Sequence, residues 1–178
     1  MGRIFPILLI FLSLTSVHCN GGGASSKTSP ANVGDSAVVP RYGYQIVNIF
    51  PHDPNAFTQG LVFLNGKLVE STGQEGRSSL RNVEVESGKI LKKVDVPVQF
   101  FAEGIAVLNN KIYQLTWQHE LGFIYDAQSF DKVGQFQYSG EGWGLTTDGK
   151  SLILSDGSNR LRFLDPDSFR VTKTIAVA

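Results

Sequence analysis

The chain has 178 residues, with 16 Lys and Arg balanced by 16 Asp and Glu, and a single cysteine. A neutral balance with no basic stripe and no acidic tail argues against a nucleic-acid partner. One cysteine rules out an internal disulfide and leaves no Cys cluster for a structural metal.

Residues 1–19 read as a signal peptide. Arg3 precedes the apolar run Ile4–Leu12, which continues loosely to Val17. The run is shorter than the roughly 20 residues that span a bilayer, and Pro6 interrupts it; it has the proportions of a secretory core. Cys19 follows directly, ahead of Asn20-Gly21-Gly22-Gly23-Ala24-Ser25-Ser26. That placement makes Cys19 a candidate lipid attachment point of the bacterial lipoprotein kind, although Ser16-Val17-His18 lacks the small residues expected before such a cysteine. The expected localisation is export: periplasmic or lipid-anchored in a bacterium, secreted otherwise, with no other membrane contact. Residues 20–40, rich in Gly, Ser, Ala and Pro, read as a flexible linker.

Residues 41–178 hold three versions of one pattern: Ala56–Thr72, Phe101–Trp117 and Gly142–Gly157. Their glycines Gly60, Gly104 and Gly144 lie 44 and 40 residues apart. Each is followed by apolar residues, a turn at Asn65-Gly66, Asn109-Asn110 or Asp148-Gly149, and an alternating strand. The later parts repeat too, at Val83–Lys89, Ile124–Phe130 and Phe163–Phe169. A period of about 40–45 residues with four short strands is that of a β-propeller blade. The fold class is therefore all-β, a propeller of four-stranded blades. About three blades fit here, below the four to eight at which propellers close. The segment reads as a truncated ring, the alternative being closure by another chain.

The innermost strand of each blade lines the axis, so residues just before the repeated glycines face it: Phe57 and Gln59, Phe101 and Glu103, and Trp143. Trp117 ends the next strand of the second unit, at the place taken elsewhere by Ser71 and Asp156. A carboxylate, a carboxamide and several aromatics thus converge at one mouth of the axis. The structural alternative for Glu103 is a carboxylate binding backbone N–H groups of a neighbouring blade. Asp53, Asp156 and Asn159 read as residues ordering loops and turns. No metal or other cofactor is expected: outside the leader only His52 and His119 remain, without metal-ligand spacing, and no G-x-S-x-G elbow or phosphate-cradling loop occurs.

The segments Phe50–Leu61, Phe101–Gly104, Leu115–Gln118, Gly142–Lys150 and Ser155–Ser158 closely resemble the plant- and bacterial-type glutaminyl cyclases, from about Tyr42 to the last residue. The resemblance implies a five-bladed propeller and a glutaminyl-peptide cyclotransferase, which converts the N-terminal glutamine of a peptide or protein to pyroglutamate and releases ammonia without a metal. It implies Glu103 as the catalytic carboxylate, and Gln59, Phe57, Phe101, Trp117 and Trp143 as the substrate-binding residues. An Asn, another Trp and a Lys of the family site belong to later blades.

This chemistry suits these residues. The α-amine attacks its own side-chain amide carbon, so holding one curled conformer removes several kcal/mol of the barrier. Glu103 would take a proton from the amine and give one to the leaving nitrogen, with its pKa raised by the aromatic surroundings. Gln59 and the indole N–H groups of Trp117 or Trp143 would donate to the substrate amide. The competing readings are a non-catalytic peptide-binding propeller and an inactive truncated homologue.

Overall fold

Alternating apolar residues, broken by Asn, Asp and Gly turns, fold into twelve strands and no helix among the described residues, 40–177 of the computed structural model. The leader, Cys19 and the linker before Pro40 lie outside them. The chain divides into two units, Met1–Tyr44 and Gln45–Ala178. In the first, the described residues Pro40–Tyr44 are exposed and carry no regular structure.

In the second, β1 (Thr58–Leu64), β2 (Lys67–Thr72), β3 (Ser79–Glu84) and β4 (Ile90–Asp95) form one sheet. A second contains β5 (Ala102–Leu108), β6 (Lys111–Thr116), β7 (Leu121–Asp126) and β8 (Lys132–Gln137). The third contains β9 (Gly144–Thr147), β10 (Leu152–Ser155), β11 (Arg160–Leu164) and β12 (Val171–Ala176). All pairings are antiparallel and follow chain order, the four-stranded blade anticipated from the repeat.

The repeated glycines have a steric cause. The innermost strands β1, β5 and β9 lie side by side. A Cβ on Gly60 would come within 2.8 Å of the Ile105 backbone nitrogen, and one on Gly104 within 2.6 Å of Leu145 N. Gly104 N–H also donates to the Trp143 carbonyl of the next blade at 2.8 Å. Only a residue without a side chain lets the strands approach this closely near the axis.

Two of the three predicted hairpin turns form as expected. Asn65 and Gly66, and Asn109 and Asn110, all take positive φ, as a two-residue turn between twisted strands requires. The third differs. Of Asp148 and Gly149 only Gly149 has positive φ, and the connection widens to residues 148–151. The Asp148 carboxylate accepts the N–H groups of Lys150 and Ser151 at 2.9 and 2.7 Å. That side-chain cap orders a longer loop with Asp148 outside the left-handed region.

The core lies between blades. Val69 and Leu80 of the first blade pack against Ala102, Ile105, Ile112, Phe123 and Tyr125 of the second. The opposite face of the second blade, with Ala106, Tyr113, Leu115, Ile124 and Phe136, packs against Leu152, Leu154 and Leu164 of the third. The middle blade is thus buried on both faces, which is why β6 and β7 are buried along almost their whole length, polar Gln114 and Thr116 included. One polar side chain pins the first interface. Buried Gln114 donates from Nε2 to Ser71 Oγ at 2.8 Å and accepts the Tyr125 hydroxyl on Oε1 at 2.9 Å.

Candidate active site

The segment leading to Phe57 and Gln59 is held by a charged network. The Asp53 carboxylate accepts the Asn55 N–H at 2.9 Å, and its carbonyl accepts the Ala56 N–H at 3.0 Å. The other carboxylate oxygen meets Arg81 Nη1 at 2.9 Å. The Asn55 backbone bond and then the Arg81 guanidinium hold the Asp53 carboxyl below the usual range. Glu70, 1% exposed, is met by His52 Nε2 at 2.8 Å and by the Thr58 hydroxyl at 2.5 Å. Buried charges persist only when partnered in this way. The network ties residues 52–58 to β2 and β3, and so aims the side chains that follow.

Backbone pairing then sets equivalent positions. Phe57 accepts the Gly73 N–H at 2.8 Å and Phe101 that of Trp117 at 2.9 Å, while Trp143, at the repeat position of Gln59 and Glu103, donates to Ser155 at 3.0 Å. In register, Gly60 faces Ser71 and Gly144 faces Ser155. The first two blades carry the same register shift, between Thr58 and Gly60 and between Ala102 and Ile105, and Gly73, Trp117 and Gly157 each stand 13 residues after the repeated glycine. Trp117 therefore corresponds to Gly73 and Gly157, a correction to the alignment with Ser71 and Asp156. Those glycines make room for aromatics. A Cβ on Gly73 would fall 2.3 Å from the Phe101 ring, and one on Gly157 2.9 Å from the Trp143 ring.

All six residues singled out from the sequence line one cavity of about 490 Å³: Phe57, Gln59, Phe101, Glu103, Trp117 and Trp143, with Gln74 as a seventh. Phe101 lies edge-on to both Phe57 and Trp117, with ring centroids 6.0 and 5.9 Å apart. Glu103 is the one carboxylate among these seven. Burial pushes its carboxyl up to about 7, with the Gln59 side chain opposing the rise and the Glu141 charge adding to it. A carboxyl in that range exchanges protons readily near neutrality.

Two residues escaped the sequence reading. Glu141 Oε2 accepts the indole N–H of Trp117 at 2.9 Å and that of Trp143 at 2.8 Å. Its Oε1 accepts Gln118 Nε2 at 3.2 Å. These bonds hold the Glu141 carboxyl below the usual range, that from Trp143 foremost. The indole N–H groups, expected to donate to substrate, are thus already engaged, and Gln59 and Gln74 are the carboxamides that face the cavity. Both missed residues had a signal in the repeat. Glu141 stands three before its glycine, where the other blades carry Phe57 and Phe101, and Gln74 follows Gly73 as Gln118 follows Trp117. Gln74 also has φ of 87°, uncommon for a residue with a side chain and characteristic of constrained sites.

Asp156 behaves as a turn residue: its carboxylate accepts the Ser158 N–H at 3.1 Å and pairs with Arg162 at 3.2 Å. Among the described residues no three His, Cys, Asp or Glu side chains gather as metal ligands.

A profile of the family described as glutamine cyclotransferase matches residues 16–178. A glutaminyl-peptide cyclotransferase of Arabidopsis thaliana is 45% identical over 132 residues, covering 72% of this chain and 41% of that protein. The crystal structure of Myxococcus xanthus glutaminyl cyclase superposes with a TM-score of 0.70 at 38% identity, over 75% of this chain and 56% of that one. The Neurospora crassa Pan2 WD40 domain, with 13% identity and a TM-score of 0.56 over 67% of this chain and 36% of its own, shares the fold alone. The chain thus spans about two fifths of the curated relative and just over half of the cyclase structure.

Proposed function

The chain belongs to the glutamine cyclotransferase family, and from that premise we propose that its axial cavity cyclises the N-terminal glutamine of a peptide or protein to pyroglutamate with release of ammonia. The observation that carries this reading is Glu103, a half-buried carboxyl raised to about 7 and facing an aromatic cavity beside Gln59.

The aromatic walls hold the glutamine side chain folded back on its own amine and exclude water from it, which supplies the orientation an intramolecular attack needs. Glu103 as carboxylate takes a proton from the attacking α-amine while the new C–N bond forms at the amide carbon. The resulting acid returns that proton to the departing nitrogen as the old C–N bond breaks, and ammonia leaves. The carboxyl ends as it began, so one residue serves both proton transfers. Gln59 is placed to hydrogen bond the amide as its charge shifts. Export, with Cys19 as candidate lipid attachment point, is part of the proposal and rests on the leader's charge and apolar run.

The test is ammonia release from a glutamine-initiated peptide, run beside the same peptide with its α-amine acetylated. Release from the free peptide alone supports the reading. Equal release from both would mean simple deamidation, and binding without release would leave a peptide-binding propeller.

A further inference from the structure

Both tryptophans of the chain sit in the cavity wall, and both indole N–H groups end on one oxygen of Glu141, at 2.9 and 2.8 Å. The backbone around Glu141 is pinned by two blades at once. Gly142 N–H donates to the Trp117 carbonyl at 2.9 Å, and Trp143 N–H to the Ser155 carbonyl at 3.0 Å. Gly142 has no space for a side chain, since a Cβ would fall 2.4 Å from the Tyr138 hydroxyl and 3.0 Å from the Thr116 carbonyl. Glu141 itself does not line the cavity. It stands at the repeat position where Phe57 and Phe101 line the cavity in the other blades, and its carboxylate instead takes up the indole N–H groups of the wall.

We propose that Glu141 is a positioning residue for substrate binding: its carboxylate clamps Trp117 and Trp143 from two blades into one aromatic wall and takes up their N–H groups, so that the indoles meet the substrate through their faces and edges. Exposed indoles, 37% and 48% accessible here, otherwise have several rotamers open to them. Charge-assisted bonds to a shared oxygen select one arrangement for both. This rests on the cyclase reading for the identity of the substrate, but the clamp does not depend on turnover.

The experiment reads the clamp and its consequence separately. In a proton–nitrogen correlation spectrum the two tryptophans give two indole signals. On acidification both move together with one midpoint below the ordinary glutamate value, because one carboxylate serves both; in Glu141→Gln that shared transition disappears. Independent midpoints, or an unchanged transition in the variant, overturn the clamp. With a glutamine-initiated peptide, Glu141→Ala raises KM by about tenfold and changes kcat by less than about threefold. Glu141→Gln, whose amide oxygen still accepts two N–H bonds, stays within about threefold of the parent KM. An unchanged KM in Glu141→Ala, or an equal rise in both variants, overturns the positioning role. If no ammonia is released by any form, the cyclase reading falls; the indole signals and the peptide's Kd, measured in place of KM, still decide the clamp.

Discussion

Glu103→Gln removes an ionisation that the fold makes unfavourable, so its stability relative to the parent protein depends on pH. The carboxyl rises from the ordinary 4.5 to about 7, chiefly through burial. Below 4.5 it is protonated in the folded and unfolded chains alike. Between 4.5 and 7 the unfolded chain gives up its proton first, which favours unfolding, so the stabilisation from the raised pKa is lost as pH climbs through that window. The rise corresponds to a ceiling of about 3 kcal/mol. The half-buried cavity is screened by water, which reduces this to about 1–2 kcal/mol. Glutamine has nearly the same shape and no charge, and every other titrating group is common to both proteins. Urea unfolding of both at about pH 5 and about pH 8 isolates the contribution as a difference of differences. The parent should lose about 1–2 kcal/mol relative to Glu103→Gln between those conditions. A difference that stays constant with pH would refute the raised carboxyl.

Two further substitutions test the geometry around it. Gly73→Ala puts a methyl 2.3 Å from the Phe101 ring and 3.0 Å from Gln59 Cγ. It should destabilise by about 1–3 kcal/mol in thermal melts and raise KM; an unchanged protein would mean that Phe101 does not occupy the space above Gly73. Gln114→Leu leaves Tyr125 without its acceptor and Ser71 without its donor inside the interface between the first two blades. It should cost about 1–3 kcal/mol in denaturant unfolding, and a neutral result would remove the polar pin.

What could be read from the sequence divides along physical lines. Blade architecture follows from steric exclusion: Gly60 and Gly104 recur because a Cβ would strike the next strand, and that constraint shows in the spacing. Positions just before the glycines were legible for the same reason, which is how Gln59, Glu103 and Trp143 were found. Trp117 was aligned wrongly although it stands 13 residues after its repeated glycine, as Gly73 and Gly157 do; a tryptophan where the other blades hold glycine hides an equivalence that the spacing carries. Glu141 went unread because it interrupts an aromatic position with a charge. Its meaning lies in where two indole N–H groups point, a matter of rotamers rather than periodicity. Gln74 lies in a turn whose positive φ is visible only in the folded backbone.

The central claim is that one carboxylate carries protons between two nitrogens, and steady-state kinetics of Glu103→Gln with a glutamine-initiated peptide tests it most directly. The account predicts that kcat falls by about 100-fold or more while KM, set by the aromatic wall, stays within about threefold. Turnover close to that of the parent protein would contradict it.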